Sequence, residues 1–139
     1  KYKEIKDSVS SKYFLRKFIF EDEIGEAYNK ADVVLSRSGA HTITELIALQ
    51  KPCILIPIPW VSHNEQNKNA DMVINFGLGV ILKQEELTSE LFIETIKTTF
   101  EHISKYKLND PSALDFLKED PAELIVNEVI KVSKSKKRK

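Results

Sequence analysis

ADVVLSRSGAHTITELIALQKPCILIPI, residues 31–58, decides the fold. Its first part holds the apolar run Val33, Val34 and Leu35 with no polar residue alternating between them. That is the pattern of a strand covered on both faces, and it predicts a strand over residues 31–36. Residues 37–40 contain Gly39 and read as a turn. Residues 42–50 place Ile43, Leu46, Ile47 and Leu49 on one side of a helix. Residues 52–58 form a second apolar strand. Strand, glycine turn, helix and buried strand together make one unit of a parallel sheet with a right-handed crossover.

The same alternation continues on either side. Downstream, residues 59–67 read as a polar loop and residues 68–75 as a helix. Gly77, Leu78 and Gly79 turn the chain into a short strand over residues 80–82. A long amphipathic helix is predicted over residues 88–105 and a last one over residues 121–133, with residues 111–118 left unassigned. Upstream, residues 13–20 are rich in aromatic and branched side chains and predict a strand. Residues 22–30 predict a short amphipathic helix through Ile24, Ala27 and Tyr28, and residues 1–12 a polar helix. The fold class is therefore α/β, a Rossmann-like parallel sheet with flanking helices. One domain is expected over residues 1–133, followed by a basic tail over residues 134–139.

Composition narrows the function. The 139 residues suit one domain, and 21 basic residues balance 21 acidic ones, so global charge points to no nucleic-acid partner. The charge is uneven: the last nine residues hold six basic side chains and no acidic one. Such a block reads first as a solvated tail, and second as a contact for an anionic membrane surface. Cys53 is the one cysteine, so no internal disulfide forms, and its apolar neighbours predict a buried thiol. No histidine and cysteine cluster has metal-ligand spacing, and no metal or cofactor is expected. The apolar runs fall well short of the roughly 20 residues that a membrane span needs. No stretch reads as a signal peptide, and a start at Lys1 in a charged, helix-like stretch reads as a truncation.

Three places can carry chemistry. The first is the turn Arg37, Ser38, Gly39, Ala40, His41 and Thr42. Ligands of open α/β sheets bind where strands end and helices begin. There, free backbone N–H groups and the helix dipole make an anion site suited to a diphosphate. Gly39 would let the ligand approach the backbone, and the hydroxyls of Ser38 and Thr42 would add hydrogen bonds. A structural reading competes: Thr42 and Glu45 have the spacing of a capping box. The second place is Glu45, whose two oxygens can accept both hydroxyls of a ribose. The third is the polar loop that includes His63, Glu65, Gln66 and Asn69, residue types that read sugar hydroxyls or simply face water. His41 and His63 are acid–base candidates by type alone, and neither has a carboxylate at fixed spacing.

Together these residues resemble one family. The stretch from Ala31 to Ala40, then Thr42 and Glu45, Lys51 and Pro52, Pro57, Glu65 and Gln66, and Asn69 and Ala70 are similar to the C-terminal domain of glycosyltransferase family 28. The similarity runs from about Phe18 to the end. It implies a GT-B architecture, with two Rossmann-like domains around a cleft. It also implies donor binding: the backbone at Ile19 on uracil, Glu45 on ribose, residues 38–42 on the diphosphate, and Glu65, Gln66 and Asn69 on N-acetylglucosamine. The implied reaction is inverting transfer from UDP-N-acetylglucosamine to lipid I, giving lipid II for peptidoglycan, by a peripheral enzyme on the cytoplasmic face of the membrane. The acceptor site and general base belong to an N-terminal domain that this stretch does not contain, so no catalytic residue is expected here. Glu65 stands where the family commonly has glutamine or histidine, and His41 where it has an aliphatic residue. A UDP-N-acetylglucosamine 2-epimerase and a free-standing donor-binding subunit are the competing enzymatic readings. A small binding module with a nucleic-acid-binding tail is the non-enzymatic one.

Overall fold

The computed structural model describes residues 13–136. Contacts divide the chain into two units, one up to Ala31 and one from Asp32 onward.

The first unit has one described helix, α1 (Glu21–Lys30). Glu21, Asp22 and Glu23 lie in its first turn and Lys30 in its last, both favourable to the helix dipole. Lys30 Nζ meets Glu26 Oε1 at 2.6 Å, one turn apart, and holds the Glu26 carboxyl below its ordinary range. The strand expected over residues 13–20 does not form; these residues have no regular secondary structure. Branched and aromatic residues suit a strand only when a neighbouring strand pairs with them, and none of the described strands pairs with this stretch. Phe18 and Phe20 instead meet edge to face at 5.0 Å. The helix read over residues 1–12 lies outside the described residues.

The second unit holds a three-stranded parallel sheet of β1 (Val34–Ser36), β2 (Cys53–Leu55) and β3 (Gly79–Ile81), in that order. Around it lie α2 (Ala40–Ala48), α3 (Glu65–Asn75), α4 (Ser89–Glu101) and α5 (Pro121–Lys136). All three residues of β2 are buried, as a central strand between two helical layers requires. Ile54, Ile56 and Leu82 form a buried cluster with Val33, Val80, Leu91, Phe92 and Ile96, which seats α4 on one face. Ile43, Leu46 and Ile47 of α2 and Ala70 and Val73 of α3 are also buried, and these two helices pack together. Burying each large aliphatic side chain contributes about 1.5–3 kcal/mol. Cys53 is fully buried, and burial pushes its thiol up to about 12.

Helix ends follow local chemistry. The Thr88 side chain caps α4 by accepting from the Leu91 N–H at 3.1 Å. α3 stops at Gly77, whose φ of 82° is left-handed and whose N–H reaches the Ile74 carbonyl. The long helix read over residues 88–105 ends at Glu101 and gives way to a 3-10 turn, Ile103–Lys105. The unassigned stretch is a 3-10 helix, Pro111–Leu117, opened by the Asp110 carboxylate accepting from the Ser112 N–H. α5 runs on to Lys136, into the stretch read as tail, and residues 137–139 lie outside the described residues.

Two expectations at the carboxyl edge of the sheet change. The helix read over residues 42–50 begins at Ala40, because the Gly39 carbonyl already accepts from the Ile43 N–H at 3.0 Å. The polar loop read over residues 59–67 ends at Asn64, after a 3-10 turn, Ser62–Asn64, and Glu65, Gln66 and Asn69 are helical. A first helical turn needs no apolar residue, so the polar run concealed the start of α3. Its buried positions begin only at Ala70.

Candidate functional site

Ser36, Leu55 and Ile81 pair across the sheet, so the three strands end level with one another. The turn that opens α2 and the loop that opens α3 therefore leave the same edge. Both helices start there, and neither N-cap residue, Gly39 or Asn64, caps a backbone N–H of its helix with a side chain. Each leaves its first-turn N–H groups beyond reach of intrahelical acceptors, with the positive dipole end facing the edge. Two such helix starts side by side suit an anion.

The start of α2 at Ala40, with Gly39 as its N-cap, removes the capping-box reading. Thr42 is the third helical residue and Glu45 the sixth, and the structure gives the N-cap no side-chain partner. Glu45 is exposed, one turn below His41 on the same helix face. Gly39 has ordinary extended angles, φ −68° and ψ 150°, and a Cβ built on it would meet nothing within 4 Å. Neither backbone strain nor packing requires glycine there. What glycine does is leave open space against the backbone at the start of α2. Ala40 and His41 are exposed and Thr42 is half-buried, so the rim of that space is reachable from solvent.

Around this turn the polar residues read as ligand contacts do a second job. Ser38 is fully buried, and its Oγ donates to the Gln66 carbonyl at 2.7 Å. The hydroxyl proton is thus used within the protein, where the sequence reading had the hydroxyl add a hydrogen bond to a ligand. Asn69 Nδ2 donates to the Ser38 carbonyl at 3.0 Å. The Ile58 N–H donates to Gln66 Oε1 at 3.0 Å, and Arg37 Nη1 donates to the Ile56 carbonyl at 3.0 Å. These four bonds cross-link the turn after β1, the loop after β2 and the first turns of α3. Arg37 is exposed and keeps further guanidinium donors beyond this bond. Gln66 and Asn69 are half-buried, each with one end of its carboxamide engaged, and Glu65 is exposed. Ile19 lies in the first unit, 37% exposed.

The sequence reading missed the backbone just before α3. His63 and Asn64 have φ of 57° and 56°, two consecutive left-handed residues that are not glycine. Such geometry costs free energy and gathers at functional sites. Asn64 tolerates it, and its Oδ1 accepts from Asn67 Nδ2. The signal available was the asparagine itself, directly before a helix start. Among the described residues no group of acidic, histidine and cysteine side chains could hold a metal ion. No helix among them is long and apolar enough to cross a membrane.

Comparison with known proteins bears on this geometry. A family model described as the glycosyltransferase family 28 C-terminal domain matches residues 1–128. A relative in Prochlorococcus marinus (strain MIT 9215) is 39% identical over 112 residues, 81% of this chain and 30% of its own length. It is named UDP-N-acetylglucosamine–N-acetylmuramyl-(pentapeptide) pyrophosphoryl-undecaprenol N-acetylglucosamine transferase. A relative of the same name in Geobacter metallireducens is 33% identical over 118 residues, 85% of this chain and 32% of its own length. The crystal structure of Acinetobacter baumannii MurG is similar with a TM-score of 0.56 and 26% identity, covering 64% of this chain and 25% of that one. The chain spans about three tenths of the length of these curated relatives.

Proposed function

We propose, because this chain belongs to the glycosyltransferase family 28 C-terminal domain family, that it is the donor-binding part of an inverting N-acetylglucosaminyltransferase making lipid II from lipid I. The observation that carries this reading is the bare start of α2. It offers uncapped N–H groups, and the space in front of Gly39 is open.

In such a transfer the 4-hydroxyl oxygen of the acceptor sugar bonds to the anomeric carbon of UDP-N-acetylglucosamine. The bond from that carbon to the diphosphate oxygen breaks, and UDP leaves with the negative charge. The hydroxyl proton passes to a general base that is not among the residues named here. Charge grows on the diphosphate as the bond breaks, and fixed N–H donors at Gly39, Ala40, His41 and Thr42 stabilise it more in the transition state than in the ground state. Glu45 accepts the ribose hydroxyls. Glu65 and the free ends of the Gln66 and Asn69 carboxamides face the N-acetylglucosamine. The acceptor is lipid-linked, so the reaction belongs at the cytoplasmic membrane surface, with the basic C-terminal residues adding attraction to anionic lipid.

Titration of the isotope-labelled chain with UDP tests the placement. The largest amide shifts should fall at Gly39, Ala40, His41, Thr42 and Glu45. Shifts concentrated elsewhere, with these amides still, would reject it.

A further inference from the structure

Trp60 is the chain's one tryptophan, and it is 76% exposed. Tryptophan is highly buried on average, so an indole left in water forfeits much of the gain its burial would bring. It sits in the loop between β2 and α3, at the sheet edge where α2 also begins. Pro57 and Pro59 stiffen the approach to it. The bonds from Arg37 to Ile56 and from Ile58 to Gln66 tie the loop to both helix starts. The indole is therefore mounted on a braced stretch of chain. Glu65, Gln66 and Asn69 follow it at the start of α3. A pyranose presents two kinds of surface, a rim of hydroxyls and an apolar C–H face. Carboxylate and carboxamide groups suit the first, and a flat, exposed aromatic ring suits the second.

We propose that Trp60 is a platform on which a substrate pyranose stacks, giving this site a preference for sugar over bare nucleotide. The proposal rests on the donor-binding reading and adds to it the residue that senses the sugar ring. Two pyranoses meet in such a transfer, the donor's and the acceptor's, and both carry a C–H face.

As the sole tryptophan of the full chain, Trp60 reports its own occupancy through indole fluorescence. The chain is titrated with UDP, with UDP-N-acetylglucosamine, and with UDP followed by a soluble methyl glycoside of N-acetylmuramic acid, while calorimetry follows binding. A change in emission with UDP-N-acetylglucosamine that UDP does not produce assigns the platform to the donor sugar. A change only when the glycoside joins bound UDP assigns it to the acceptor sugar. Trp60→Ala should then weaken binding of that sugar about 3- to 10-fold, from the usual strength of an aromatic contact. Trp60→Phe should restore most of it, and thermal melting should not move because the side chain is exposed. UDP binding with emission and sugar affinity indifferent to both sugars would overturn the proposal and leave the donor reading standing. A response to anionic lipid vesicles alone, with none to sugar, would also overturn it. Failure to bind UDP at all would remove the donor reading and this proposal together.

Discussion

Gly39→Ala separates a ligand-binding role from a structural one. The backbone angles at Gly39 are open to alanine, and the added methyl meets nothing within 4 Å. Replacing glycine at a compatible site stabilises by about 0.4–1 kcal/mol through the unfolded chain. Alanine is a poorer N-cap than glycine, which costs about 0.5–1 kcal/mol. The two effects nearly cancel, so the melting temperature should move by no more than about 3 °C. The bound state is affected differently. The methyl occupies the space through which a diphosphate reaches the N–H groups of α2. Pushing the ligand back weakens one or two charge-assisted hydrogen bonds worth about 1.5–3 kcal/mol each. UDP affinity should fall at least about tenfold. Calorimetry with UDP and a thermal melt on the same samples measure both quantities. UDP affinity within about twofold of the parent chain would refute the placement of the diphosphate, and a large loss of thermal stability would show that the glycine is structural.

Glu45→Gln should lower UDP affinity by about 1–3 kcal/mol and make binding nearly indifferent to loss of the ribose 2′-hydroxyl, tested with 2′-deoxyuridine diphosphate; equal losses for the two nucleotides would remove the ribose role. Ser38→Ala should cost about 1–2 kcal/mol of stability in denaturant titration, because the Gln66 carbonyl loses the donor that braces α3; unchanged stability would show that this bond does not brace the edge. Cys53, with its thiol pushed from 9.0 up to about 12 by burial, should resist alkylation at pH 8 in the native chain and react in guanidinium. The folded state holds this proton more tightly than the unfolded state, so the contribution is intact below pH 9 and is lost as pH rises from about 9 to about 12. Stability that is flat across that window would contradict the burial argument.

The quoted stretch was readable because its apolar pattern is local. The run from Cys53 to Leu55 is fully buried, and it pairs with the run through Val34 and Leu35 in the parallel register that a crossover produces, although Leu35, on the outer strand, stays 43% exposed. Residues 13–20 misled for the opposite reason: strand propensity states a need for a partner and cannot supply one. The start of α3 was hidden because Glu65, Gln66 and Lys68 suit both a loop and a polar first turn. Thr42 and Glu45 matched a capping box only under the assumption that the helix starts at Thr42, and the Gly39 carbonyl starts it earlier. At the candidate site, residue types pointed to one edge of the sheet without distinguishing contact from brace. A serine hydroxyl or a carboxamide bonds a backbone carbonyl as readily as a ligand. The partners of Ser38 and Asn69 lie 28 and 31 positions away, a separation that no local pattern encodes.

Calorimetry of this chain with UDP and with GDP tests the donor-binding assignment most directly. UDP should bind measurably but weakly, with a clear preference over GDP, and Gly39→Ala should lose UDP affinity. Equal affinity for the two nucleotides, or binding that Gly39→Ala leaves untouched, would contradict it.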